Sequence, residues 1–231
     1  YTTMYLIEGE DKAVLIDTGT RCADLDKIVG QITGKPLEVI VTHMHPDHAG
    51  CIKYFDKVWM HRAYTVLVPQ HAADYQGEFL YMEEGQVFDL GGRKLEVAWM
   101  PGHTPGSVVL LDKANGDCYS GDAFGSGEVW LQCVPMSPIA TFHESCCRME
   151  KLMKEGHIKD IWCGHYPYLK SSLPLAYIQT MIRISHRLMN GDQEGSEPYS
   201  NYFIKMPPTA RKLAEGRAMI VYDSTNIPEA R

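Results

Sequence analysis

The chain has 231 residues, 45% of them hydrophobic, and a formal net charge of −7. That length allows one large domain with a substantial buried core, and no run approaches the roughly eighteen apolar residues of a membrane-spanning helix. The acidic balance, with no dense Lys or Arg run, excludes nonspecific polyanion binding, so no large nucleic acid and no membrane is expected as a partner.

Short apolar, β-branched runs alternate with helical stretches along the first third of the chain. Strands are expected at 4–7 and 13–16, a helix around 23–32, and a strand at 38–42. A helix then enters at Pro46, whose fixed φ and missing N–H suit a first helical turn. A strand near 58–60 and a helix around 63–68 continue the pattern, and such alternation marks an α/β fold. Strands at 95–100, 107–112 and 117–121 are separated by turns at 101–106 and 114–116, which reads as an antiparallel meander. Helices about 143–155 and 175–189 flank a strand at 159–163, and Asn190-Gly191 offers an easy left-handed cap. The polar stretch 191–200 reads as a loop, ahead of 209–215 and a final strand at 218–222. A single domain over 1–231 is expected, with a C-terminal helical segment from about residue 174.

The chemistry is concentrated in Val41-Thr42-His43-Met44-His45-Pro46-Asp47-His48-Ala49-Gly50, three imidazoles and a carboxylate within six positions directly after an apolar run. Histidines interleaved with a carboxylate give the mixed nitrogen and oxygen donor set that suits zinc or another first-row metal. Three more candidates stand in glycine-marked turns: His103 in Pro-Gly-His-Thr-Pro-Gly, Asp122 in Ser-Gly-Asp-Ala, and His165 in Cys-Gly-His-Tyr. Most follow an apolar run and a turn, and loops at strand ends converge on one edge of a layered sheet. Five histidines and two aspartates fill two metal positions.

The ordered set His43-x-His45-x-Asp47-His48, then His103, Asp122 and His165, resembles the signature of the metallo-β-lactamase fold superfamily, and the early Asp17 of Val-Leu-Ile-Asp-Thr-Gly fits it too. The resemblance runs from about Tyr5 to Tyr166. It implies an αββα four-layer sandwich in which His43, His45 and His103 hold a first metal, Asp47, His48 and His165 a second, and Asp122 bridges them. Asp17 is then a residue that orients the ligand loop, or equally a turn former before Gly19. The implied cofactor is two zinc ions, with iron or manganese as alternatives. The implied activity is hydrolysis of a small acyl substrate, a thioester, lactone or ester, by a metal-bound hydroxide, with Asp47 accepting a hydrogen bond from the nucleophile.

Departures from the pattern bear on the substrate. Zinc β-lactamases generally lack a bridging Asp at position 122, and flavin-partnered diiron oxidases carry Glu where His45 stands. Glyoxalase II-type thioesterases share the ligand set but show Gly-His-Glu-Tyr where this chain has Gly164-His165-Tyr166-Pro167, which puts glutathione specificity in doubt. A phosphodiesterase on a small phosphodiester and a mononuclear iron persulfide dioxygenase are the alternatives, with a non-catalytic sensor behind them. Tyr166, Tyr168, Tyr199 and Tyr202 are candidates for contacting a substrate carbonyl, and Lys205, Arg211 and Lys212 for an anionic group. The segment 125–141, with Val129, Trp130, Leu131 and Met136, either lines a pocket or packs beneath its rim. Seven cysteines form an odd set without Cys-x-x-Cys, which fits a reducing, cytoplasmic location. No signal segment opens the chain, a processed leader ahead of Tyr1 is left open, and a homodimer is compatible with the sequence.

Overall fold

The computed structural model describes residues 1–133, 135–202 and 204–228. Val134, within the segment 125–141, and the last three residues of the expected 1–231 domain lie outside them. Elements are numbered in chain order. The first sheet is β1 (Tyr5–Glu8), β2 (Ala13–Ile16), β3 (Leu37–Ile40), β4 (Lys57–His61) and β5 (Glu78–Met82), in that spatial order. β1 and β2 pair antiparallel, and the remaining pairs are parallel. The second sheet has the order β11-β9-β8-β7-β6, built from β6 (Val87–Asp89), β7 (Lys94–Trp99), β8 (Val108–Asp112), β9 (Asp117–Gly121) and β11 (Asp160–Cys163). β7 to β9 form the antiparallel meander expected from the turns, β6 extends it antiparallel to β7, and β11 adds parallel to β9.

Three apolar cores sort these sheets into four layers. Val14, Ile16 and Ile40 pack with Leu95, Val97, Val108 and Leu110, so the two sheets meet face to face. On the outer side of the first sheet, Leu15, Val39 and Val41 pack against Leu25 and Val29 of α1 (Leu25–Ile32). On the outer side of the second, Ala98, Val109 and Leu111 pack with Phe142, Cys146 and Met149 of α4 (Ile139–Lys154), and with Ile178, Met181 and Ile184 of α6 (Leu175–Met189). All four residues of β2 are therefore buried, as a strand covered on both faces requires. This is the αββα sandwich.

Several boundaries differ from the sequence expectation. The helix expected at 63–68 is a 3₁₀ segment over Arg62–Leu67 running into a short α3 (Val68–His71). β5 and β6 went unrecognised because they are short and separated only by Glu83-Glu84-Gly85-Gln86. The helix expected from about residue 174 ends at Met189, and the chain then returns as β12 (Glu197–Pro198), β13 (Ala210–Glu215) and β14 (Ala218–Asp223), the last matching the expected final strand at 218–222. β14 pairs parallel with β10 (Glu128–Trp130), a long-range pairing that tertiary packing decides.

The edge near β6 is tied by one buried charge. Asp112 is fully buried, its Oδ2 accepts from Arg93 Nε at 2.6 Å and from Asn115 Nδ2 at 2.8 Å. Removing the cation leaves a buried carboxylate short of its partner, so Arg93→Ala is expected to lower the unfolding free energy by about 3 kcal/mol in urea titration. A change below about 0.5 kcal/mol, the size of an ordinary surface substitution, would disprove this role.

Candidate metal centre

Two short turns of structure set the motif in place. β3 runs into Val41, whose N–H still bonds to Trp59 O at 3.0 Å, and the backbone then leaves the sheet at Thr42. Four residues on, Pro46 opens α2 (Pro46–Ala49) with His45 as its N-cap, so Asp47 and His48 follow one another around a single helical turn. Met44, fully buried between the first two histidines, anchors the loop to the core.

Asp17 clamps this loop. It sits at the end of β2 with φ of 61°, and its Oδ1 accepts from Thr42 N at 2.7 Å. Its Oδ2 lies 2.7 Å from His48 Nδ1, and Thr42 Oγ1 lies 3.0 Å from each carboxylate oxygen. The next residue, Thr18, donates both its N–H and its hydroxyl to His48 O. Asp17 is thus an orienting residue, held in a left-handed conformation that aspartate tolerates better than most side chains.

The remaining candidates arrive from the second sheet. His103 follows β7, Asp122 follows β9 and His165 follows β11, each one or more residues past a strand end. Gly164 N bonds Gly121 O at 2.7 Å, which brings the last two turns side by side. A Cβ on Gly164 would stand 2.5 Å from both Asp122 Oδ1 and His48 Cε1, so only glycine permits this approach.

All seven sequence candidates come together, in two adjacent groups: His43, His45 and His103; and Asp47, His48, Asp122 and His165. The His43 and His48 rings, 4.1 Å apart, join them. Four of the five histidines have Nδ1 spoken for. His48 Nδ1 faces Asp17, His103 Nδ1 donates to Trp130 O at 2.8 Å, His165 Nδ1 donates to Tyr1 O at 2.9 Å, and His43 Nδ1 lies 3.1 Å from Thr42 Oγ1. Partners of this kind fix the tautomer of metal-ligating histidines and leave Nε2 as the donor. His45 is turned the other way, its Nδ1 lying 3.1 Å from His103 Nε2. That spacing is close to the roughly 3.3 Å separating two nitrogens on a tetrahedral zinc with ~2.0–2.1 Å bonds.

Orphaned polar atoms make the stronger test. His43 Nε2, His48 Nε2 and Asp122 Oδ1 are buried with no hydrogen-bond partner. His48 Nε2 does lie 3.4 Å from Asp122 Oδ2, near enough for charge attraction but outside hydrogen-bond geometry. Buried polar atoms normally have partners, and each unmade bond costs about 1–3 kcal/mol. Unpartnered buried lone pairs in each of the two donor groups fit bound cations, and the residues present suit them.

The two groups differ electrostatically. Burial and neighbouring imidazoles push His43 well below its ordinary pKa, burial and then His103 push His45 down to about 2, and burial lowers His103. This trio is neutral, as ligand nitrogens must be. In the second group burial opposes charge, but Asp122 and Asp17 outweigh it at His48, and Asp122 outweighs it at His165, so both are raised. Asp122 is held well below the carboxylate range because His48 and His165 outweigh its burial. Access is on the Asp47 side, since its side chain is 43% exposed against 14% for Asp122 and none for His48.

Other sequence candidates fall elsewhere. Tyr168 reaches His165, ring to ring at 5.7 Å, while Tyr199 binds Glu128, Tyr202 is exposed and Tyr166 packs on Trp162. Lys212 pairs with Glu197 and Arg211 with Ser196, both within the small sheet. Val129 and Leu131 are buried, so much of 125–141 packs beneath the rim. Sequence reasoning missed Thr2, whose hydroxyl donates to Asp47 Oδ2 at 3.1 Å, and His71, whose ring is 6.1 Å from His45 and whose Nδ1 donates to Met44 O. It also missed the Trp130 carbonyl, which no side-chain pattern marks. Among the described residues no helix is long and apolar enough to cross a membrane.

Comparison with known proteins agrees with this geometry. Residues 1–143 match the family model described as the metallo-beta-lactamase superfamily. The chain is 26% identical over 202 residues to the human acyl-coenzyme A thioesterase MBLAC2, covering 71% of this chain and 72% of that protein. It is 28% identical to the hydroxyacylglutathione hydrolase of Aeromonas salmonicida, covering 75% and 64%. Among solved structures, the di-iron-bound form of TTHA1623 superimposes with a TM-score of 0.60 at 26% identity, covering 76% of this chain and 90% of that one. With its donor groups, its four layers and this match, the chain belongs to the metallo-beta-lactamase superfamily, as a metal-dependent hydrolase.

Proposed function

We propose that the protein is a dinuclear zinc hydrolase of acyl thioesters, with acyl-coenzyme A as the substrate class. The observation that carries the reading is the pair of adjacent donor groups sharing buried, unpartnered lone pairs at His43, His48 and Asp122. Similarity to an acyl-coenzyme A thioesterase and to a hydroxyacylglutathione hydrolase, both of which by name cleave acyl compounds, supports the choice of substrate.

In this reading His43, His45 and His103 would hold one zinc and Asp47, His48 and His165 the other, with Asp122 as a further ligand that could serve both. Bound divalent zinc supplies Lewis acidity and a nucleophilic water at neutral pH. The chain's own residues then do the positioning. Asp47 is the catalytic carboxylate: it is the more exposed of the two aspartates and would accept a hydrogen bond from the nucleophile. Thr2 steadies Asp47 Oδ2 by its hydroxyl. Asp17 fixes the His48 ring, and Trp130 O fixes His103, so neither imidazole has to reorganise during turnover. Hydrolysis yields a carboxylate and a free thiol.

Elemental analysis of the purified protein is expected to give about two zinc ions per chain, and dialysis against a chelator should abolish hydrolysis of octanoyl-coenzyme A until zinc is returned. One iron per chain, or no recovery with zinc, would refute the proposal. Asp47→Ala is expected to lower kcat/KM by at least about 100-fold with an unchanged circular dichroism spectrum. Gly164→Ala, which drives a methyl group into Asp122 and His48, should lower metal content toward one ion per chain; retention of both would show that the two turns separate easily.

A further inference from the structure

Behind the His165 turn lies a half-open cavity of about 310 Å³, at the low end of the range for small-ligand sites. Its inner wall is apolar, formed by Leu173, Pro174 and Tyr177, and its rim carries Arg183, Glu215 and Arg217. Leu173 and Tyr177 are nearly inaccessible, and the Tyr177 hydroxyl is turned away to Phe124 O at 2.8 Å, so the pocket meets the ring and not the hydroxyl. The rim charges are not equivalent. Glu215 is shared by Arg183 at 3.2 Å and Arg187 at 3.5 Å, which neutralises it and holds Arg183 in place. Arg217, in the exposed turn between β13 and β14, has no polar partner among the described residues.

The cavity is close to the metal centre. His165 is the N-cap of α5 (Tyr166–Leu169), and Leu169, one turn of about 6 Å further on, is part of the cavity lining. On the other side, a Cβ at Gly127 would stand 3.4 Å from Leu169 Cδ2 and 3.6 Å from Arg217 O, so the cavity also borders the loop that follows Asp122. The mechanism uses none of these residues.

An apolar slot edged by one paired and one unpaired guanidinium fits a flat heterocycle joined to phosphate. The slot takes the ring face, Glu215 offers an acceptor to an exocyclic amine, and Arg217 supplies charge-assisted hydrogen bonds to phosphate oxygens. A protein of net charge −7 has need of such a local cation to retain a polyanionic substrate. We infer that this cavity binds the adenosine-phosphate end of an acyl-coenzyme A while its thioester lies at the metal centre. The inference rests on the thioesterase reading for the identity of the carrier.

The test compares zinc-loaded wild type with Arg217→Glu on two thioesters of the same acyl group, octanoyl-coenzyme A and octanoyl-N-acetylcysteamine, which lacks the nucleotide. It also titrates each protein with adenosine 3′,5′-bisphosphate in a calorimeter. The expected result is a KM for the coenzyme A ester about tenfold higher in the variant at unchanged kcat, with no change on the short ester. Bisphosphate binding should weaken by the same factor. If octanoyl-coenzyme A is hydrolysed and Arg217→Glu leaves its KM unaltered, or alters both esters alike, the cavity assignment is wrong and the thioesterase reading stands. If neither ester is hydrolysed, the thioesterase reading fails and the titration decides the cavity: binding lost in the variant keeps a nucleotide site, while absent binding, or binding indifferent to Arg217, overturns it.

Discussion

The buried carboxylate of Asp17 is the constraint on which the site depends. It ends β2 in a left-handed conformation and binds a backbone N–H, a hydroxyl and an imidazole that all belong to the loop after β3. A non-glycine residue in that conformation costs about 1–2 kcal/mol. Hydrogen bonds to a charged group are worth about 1.5–3 kcal/mol each, so the three contacts offset the strain. They act beside the bonds from Thr18 to His48 O and the buried Met44 in fixing the loop that carries His43, His45, Asp47 and His48.

From that clamp the architecture follows outward. Parallel pairing of β2, β3 and β4 places the ends of β2 and β3 at one edge of the first sheet, and face-to-face packing brings the ends of β7, β9 and β11 to meet them. The candidate ligands thus come from two sheets whose relative position is set by an apolar interface. Interiors of this density are stiff, which holds the two groups of donor residues in a fixed arrangement. The glycines at 121 and 164 serve the same end, since a side chain at either would push the turns apart.

The centre is asymmetric in charge and in access. Its inner trio is neutral imidazole under burial, while its outer group balances His48 and His165 against Asp122. Asp47 is the candidate donor whose side chain is most open to solvent. The cavity lined by Leu173, Tyr177, Arg183 and Arg217 belongs to the C-terminal helix, the small sheet and the turns beside them, beyond the motifs.

The motif from His43 to His48 was legible because its residues are contiguous and their chemistry is rare in combination, and His103, Asp122 and His165 because each stands in a glycine turn after an apolar run. Alternation of strands and helices gave the α/β class, since period and turn chemistry are local properties of the chain. The tertiary structure alone decided that Trp130 O, Thr2 and His71 stand against the ligands, because a backbone carbonyl and isolated polar residues carry no periodic signal. It alone decided that β12, β13 and β14 close a sheet with β10, with β14 pairing to β10 across about ninety positions. Such contacts are fixed by packing between distant segments, whereas the sequence by itself determines only what neighbours along the chain can encode.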